Sequence, residues 1–127
     1  MITELPLSGQ PNDAPIYFAV DYDDARFYKG NFANIDQYFQ GVANAMAADP
    51  DHAYPVGVYG SVCVLSHLQT TGAATWFWQS LSTGWCGNAA PWASANIRQL
   101  TPPNATFPGT KLVVDYDCSD QANEGSW

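Results

Sequence analysis

Apolar positions along the chain follow two spacings, broken at intervals by Pro, Gly and Asp. Residues 16–20, "IYFAV", form a short apolar run opened by Pro15 and closed by the acidic residues of "DYDD", the pattern of a strand. After Asn34, a residue suited to N-capping, Ile35, Tyr38, Phe39, Val42 and Met46 recur every three or four positions with alanines between them until Asp49-Pro50. That spacing predicts a helix, the clearest in the chain. "YPVGVYGS" at 54–61 predicts a second strand, and Ser61 is placed to cap a second helix that runs through Leu65 and Leu68 and stops at Gly72. "ATWFWQS" at 74–80, "NIRQL" at 96–100 and "KLVVDYD" at 111–117 predict three more strands, with Gly-, Asn- and Pro-rich loops between them.

Strands that are apolar on both faces and alternate with helices predict an α/β fold, a parallel sheet covered by helices. In such sheets the chemically active groups collect beyond the C-terminal strand ends. Asp21-Tyr22-Asp23 and Asp115-Tyr116-Asp117 both occupy that place in the predicted order. Side chains alternate across a strand, so the two carboxylates of each cluster share a side, roughly 6 to 7 Å apart by backbone rise alone. This separation suits acid–base chemistry across a water, or the binding of sugar hydroxyls. Tyr59, Trp76, Trp78, Gln79 and Gln99 fall near the ends of the intervening strands. Which tryptophan faces the active side depends on register, and core packing is an equal role for any two of Trp76, Phe77 and Trp78.

A chain of 127 residues makes one domain, read here as 1–127. With 46% hydrophobic residues, five Trp and seven Tyr, it has the material for a packed core and is not a disordered segment. No apolar run reaches the length of a membrane span. The formal charge of -8 repels phosphate backbones and anionic lipid, so neutral or cationic ligands fit better and nucleic acid is excluded as a partner. The first residues show no basic segment followed by an apolar one, so no secretion signal is expected. Asn104-Ala-Thr106 matches a glycosylation sequon, a pattern common by chance.

Other candidate chemistry gives way to plainer roles. Cys63, Cys86 and Cys118 show no metal or redox spacing; Cys86 and Cys118, both in polar loop-like sequence, are candidates to pair, and Cys63 is read as structural. Asp-x-Asp after a strand also occurs in divalent-metal sites, but no glycine-rich phosphate loop or basic residue accompanies it, and neither cluster has calcium-loop spacing. No metal or cofactor is expected. Asp21 has the alternative role of a strand-end residue satisfied by backbone N–H groups. Asp24, Asp36, Asp49 and Asp51 read as caps and turn residues, His52 as solvated, and His67 as a half-buried, hydrogen-bonded helix residue.

Taken in order, "PIYFAVDYD", "GVYGS", "WFWQS", "IRQL" and "VVDYD" resemble successive strands of the glycoside-hydrolase-like domain of unknown function found in actinobacterial secreted and phage-associated proteins. That domain is similar to the family 25 muramidases, which cut bacterial peptidoglycan. The resemblance, over about residues 15 to 120, implies the last five strands of a (β/α)₈ TIM-type barrel: a partial barrel of about five parallel strands with covering helices. It implies a site for cell-wall glycan of β-linked amino sugars, with Asp23 as general acid and Asp21 ionised beside it. Tyr59, Trp76, Trp78, Gln79, Gln99, Asp115 and Asp117 would then line the cleft, and the cell surface or outside would be the place of action. Where the muramidases carry Asp-x-Glu this chain has Asp23, and the first three barrel strands have no counterpart. The missing strands imply alternatives: a binding module without turnover, or a unit completed by a second copy or a partner chain.

Overall fold

The computed structural model describes residues 9–100, 106, 108–112 and 116–119. Within them, β1 (Ile16–Ala19), β2 (Val56–Gly60), β3 (Trp76–Gln79), β4 (Ile97–Leu100) and β5 (Tyr116–Ser119) form one sheet in chain order. Helix α1 (Ala33–Ala48) follows β1, and α2 (Val62–Thr71) follows β2. The result is a mixed α/β fold with an open five-stranded sheet and two α-helices among the described residues.

β1 to β4 pair in parallel, with Tyr17 opposite Gly57, Tyr59 opposite Trp78, and Trp78 opposite Ile97. β5 runs antiparallel to β4, Gln99 opposite Asp117 and Leu100 opposite Tyr116, which corrects the expectation of five parallel strands. The sequence between them explains the reversal. A parallel return needs a crossover, usually helical, to the far end of the sheet. Residues 101–115 instead contain Pro102, Pro103, Pro108 and Gly109 and hold no apolar run at helical spacing.

Alternation assigns Phe18, Val20, Val58 and Phe77 to one face of the sheet. These pack with Ile35 and Phe39 of α1 and Val64, Leu65 and Leu68 of α2 in the main core. Val58, Val64, Leu65 and Leu68 are fully buried, each contributing about 1.5–3 kcal/mol on removal from water. A second cluster of Val42, Met46 and Tyr54 extends the core beneath Ile16. The helix ends follow their capping chemistry. Ser61 accepts from Val64 N (3.4 Å), and Gly72, at φ 74°, closes α2 by donating back to Leu68 and Gln69 carbonyls. α1 starts one residue before the expected cap: Phe32 occupies the N-cap position, and Asn31 Oδ1, not Asn34, accepts from Ala33 N.

The disulfide joins Cys63 to Cys86, with Cα atoms 5.4 Å apart, and does not include Cys118. The Cys86–Cys118 pairing is thereby overturned. The fold brings the start of α2, not β5, against the loop after β3, and backbone proximity decides which thiols meet. Cys63 N donates to Cys86 O (3.1 Å) at the same junction.

Candidate functional site

The sheet face away from α1 and α2 carries Tyr17, Tyr59, Trp76 and Trp78. Gly57 lies under the Tyr17 ring: a Cβ there would stand 2.6 to 2.9 Å from three of its carbons. The missing side chain lets Tyr17 reach across β2 to meet Trp78 edge to face, centroids 5.9 Å apart at 88°. Tyr59 meets the same indole edge to face at 5.2 Å. Trp78 Nε1 donates to Asp117 Oδ1 (2.8 Å), and Tyr59 Oη donates to Gln99 Oε1 (2.9 Å), which also accepts from Leu81 N (3.3 Å). Trp78 is thus fixed by two rings and one carboxylate. Trp76 shares this face, two residues from Trp78, while Phe77 points into the core against Trp92. Register therefore puts both tryptophans on the same side.

The expected residues divide. Tyr59, Trp78, Gln99 and Asp117 come together, from β2, β3, β4 and β5, with Trp76 beside them. Gln79 belongs to the opposite face and is buried; its amide donates to Ala90 O (3.0 Å) and accepts from Trp92 N (2.8 Å), fastening the loop that follows. Asp115 and the sequon residue Asn104 lie outside the described residues.

Beyond β1, the Asp pair separates. Val20 still donates to Tyr59 O (2.8 Å) and is buried in the main core, and Asp21 is the first residue past this last bond to β2. Asp21 is exposed and has no hydrogen-bond partner among the described residues. Asp23 is half-buried, and its Oδ1 accepts from Cys86 N (3.1 Å). The strand has ended by then, so the expectation that both carboxylates share a side does not extend to Asp23. Asp24 is occupied by Arg26, whose Nε and Nη2 bind its carboxylate at 2.6 to 3.1 Å and whose backbone N–H adds a third donor. Those bonds hold the Asp24 carboxyl down to about 2. Tyr28 donates to Gly84 O (2.9 Å), and its phenol is pushed above its ordinary value by loss of solvent, then by the charge of Asp23 beside it.

The loop between β3 and β4 borders this end of the sheet. Asn88, buried, accepts from Val62 N (2.8 Å) and donates to Ser80 O and Ser82 O (3.0 and 3.1 Å), tying the loop to α2. Asn96 Oδ1 accepts from Phe77 N (2.8 Å) and returns the chain to the sheet. A cavity of about 170 Å³ opens between this loop and β4, with Ser80, Thr83, Arg98 and Gln99 among its lining residues. The sequence reading missed Asn88 and Asn96; the only signal for them is the density of Asn, Ser and Gly in a loop flanked by strands. His67 lies apart from this end, stacked on Phe32 (4.1 Å) and bonded to Asp36 Oδ1 (2.5 Å). His52 Nδ1 pairs with Asp49 Oδ2 (2.8 Å). Among the described residues, no three His, Cys, Asp or Glu side chains converge as metal ligands, and no helix is long and apolar enough to cross a membrane.

Comparison with known proteins gives two matches. A family model described as "Rv2525c-like, glycoside hydrolase-like domain" matches residues 6–121. An uncharacterized protein, FadG, of Bacillus subtilis (strain 168) is 31% identical over 123 residues, covering 91% of this chain. The chain spans 20% of the length of FadG. No solved structure matches.

Proposed function

Because the chain belongs to the Rv2525c-like, glycoside hydrolase-like domain family, we propose that its aromatic face is a glycan cleft. The ligand of this reading is cell-wall glycan of the peptidoglycan type, built of β-linked amino sugars. Trp76, Trp78 and Tyr59 offer ring surface to the apolar faces of the sugars, and Gln99, Asp21 and Asp117 supply partners for hydroxyl and acetamido groups. One observation carries the reading: Trp78 is held by Tyr17, Tyr59 and Asp117, so a large, half-buried aromatic surface stands ready without the cost of ordering it on binding. The Cys63–Cys86 disulfide suits a protein that works outside the reducing cytoplasm, where such a glycan is found.

In the hydrolytic form of this reading, of muramidase type, the Asp21–Asp23 pair supplies the acid chemistry. A binding module without turnover is the second form, favoured by the engagement of Asp23 Oδ1 with Cys86 N. Mass spectrometry of peptidoglycan fragments and chitin oligosaccharides incubated with wild type separates them, with sedimentation on insoluble peptidoglycan run in parallel. Shortened products establish the hydrolase; retention without products establishes the binding module. The absence of both products and retention sinks the glycan reading, and Trp78→Ala must abolish whichever signal is seen.

A further inference from the structure

We infer that Asp23 is a positioning residue: its carboxylate holds the loop between β3 and β4 against the end of the sheet and so sets one wall of the aromatic face. The inference rests on the binding-module form of the glycan reading, in which Asp23 passes no proton to the ligand, and only for what that wall borders. Asp23 Oδ1 accepts from Cys86 N at 3.1 Å, and Cys86 is 2% exposed. The same residue is bonded through sulfur to Cys63 at the start of α2, and its carbonyl accepts from Cys63 N. Two residues earlier, Gly84 O accepts from the Tyr28 hydroxyl, which stands beside the Asp23 carboxylate. Residues 84–86 are therefore gripped from α2 by the disulfide and from the segment after β1 by Asp23 and Tyr28. Gly87 reinforces the fit, since at φ 79° its Cα faces Val62 so closely that a Cβ would lie 2.9 Å from Val62 Cβ.

Movement of this loop reaches the ligand face by a direct route. Leu81 N donates to Gln99 Oε1, the oxygen that also receives the Tyr59 hydroxyl. Loosening the loop at Cys86 is expected to reach Leu81, whose N–H is one support of the amide that fixes Tyr59, and Tyr59 in turn braces Trp78. Asp23 acts on the face through this chain of contacts, whereas Asp21 is exposed and has no partner among the described residues.

The carboxylate role separates from a reacting-acid role by substitution, because an Asn side chain keeps the Oδ1 acceptor and loses the proton-carrying group. Asp23→Asn, Asp23→Ala and Tyr28→Phe are compared with wild type by amide hydrogen exchange without ligand, and by retention on insoluble peptidoglycan. Asp23→Ala is expected to speed exchange at Cys86 by about 10- to 100-fold, the range for loss of one hydrogen bond to a charged group, and to weaken retention. Asp23→Asn is expected to restore most of the protection and the retention. Tyr28→Phe, which keeps Asp23, is expected to loosen residues 84–86 to a lesser degree, and it reports on the same grip if Asp23→Ala fails to fold. Unchanged Cys86 exchange in Asp23→Ala overturns the inference. So does an Asp23→Asn protein that keeps Cys86 protected yet loses all retention or turnover, for then the carboxylate itself meets the ligand. If wild type neither retains nor cleaves glycan, the glycan reading fails, and the exchange data alone decide the role of Asp23.

Discussion

The same substitution, Gly→Ala, is expected to have opposite effects at two positions of this fold. At Gly57 the added methyl carbon would lie 2.6 Å from Tyr17 Cδ1 and 2.9 Å from both Cε1 and Cγ. The ring must leave β2, which gives up the edge contact with Trp78, worth about 0.5–1.5 kcal/mol, and strains the packing by about 1–3 kcal/mol. Against this, Ala loses less backbone freedom on folding than Gly, a gain of about 0.5–1 kcal/mol. The net is a loss of about 0.5–4 kcal/mol. At Gly41, in the middle of α1 and exposed, nothing lies within 4 Å of the new carbon, so only the helix-propensity gain of about 1 kcal/mol remains. Urea unfolding of both variants, with near-ultraviolet circular dichroism to follow the tryptophans, tests the difference. Gly57→Ala should unfold at lower urea with an altered aromatic spectrum, and Gly41→Ala at higher urea with the wild-type spectrum. A Gly57→Ala protein at least as stable as wild type with an unchanged spectrum would refute the claim that Tyr17 needs the bare backbone of Gly57.

Removing the disulfide with Cys63→Ser and Cys86→Ser should cost about 3 kcal/mol, from a link spanning 23 residues; an unchanged unfolding midpoint would mean the bridge constrains nothing. The Asp24 carboxyl, held down to about 2 chiefly by the side chain of Arg26, contributes stability that is present above the ordinary carboxylate range and is lost as pH falls from about 4 through about 2. A carboxyl-carbon NMR titration of Asp24 with its midpoint near 4 would dispose of that pairing, and Arg26→Ala, which keeps the backbone N–H donor, should move the midpoint part of the way up to there. Leu68→Ala should destabilise by about 2–5 kcal/mol because the side chain is fully buried in the main core; a loss below about 1 kcal/mol would show that the helix–sheet layer collapses onto the gap. Asp117→Ala should lower glycan retention several-fold by releasing the Trp78 indole, with Asp117→Asn closer to wild type because it keeps the acceptor; equal retention in all three would show that the ring needs no pin.

The helices and the first four strands were legible because their signals are local. Ile35, Phe39, Val42 and Met46 recur at helical spacing and are the residues α1 buries, and Ser61 and Gly72 bound α2 by chemistry written in single residues. The pairing of Cys63 with Cys86 was not legible, since it depends on how closely the loop after β3 approaches the start of α2 in space. Gln79 was half legible. Once Phe77 is known to enter the core, alternation puts Trp76 and Trp78 on one face and Gln79 on the other, but nothing in "WFWQS" says which of its aromatics goes in. Asp21 and Asp23 parted for a related reason: alternation holds only while the strand is paired, and the last bond of β1 to β2 is made by Val20.

The direction of β5 failed in an instructive way. Alternation and apolar content are the same for a parallel and an antiparallel strand, so direction has to come from the connection, and a connection of about fifteen residues containing Pro102, Pro103, Pro108 and Gly109 cannot supply a crossover helix. Yet Asp117 still arrives beside Trp78 and opposite Gln99. An antiparallel strand that begins at Tyr116 brings the Asp117 carboxylate to the same edge of the sheet as a parallel strand that ended there would. Asp117 at that edge is therefore compatible with either direction. Register sets Asp117 across from Gln99, on the face of Trp78, and its Oδ1 accepts from the indole nitrogen of the ring that stands between Tyr17 and Tyr59.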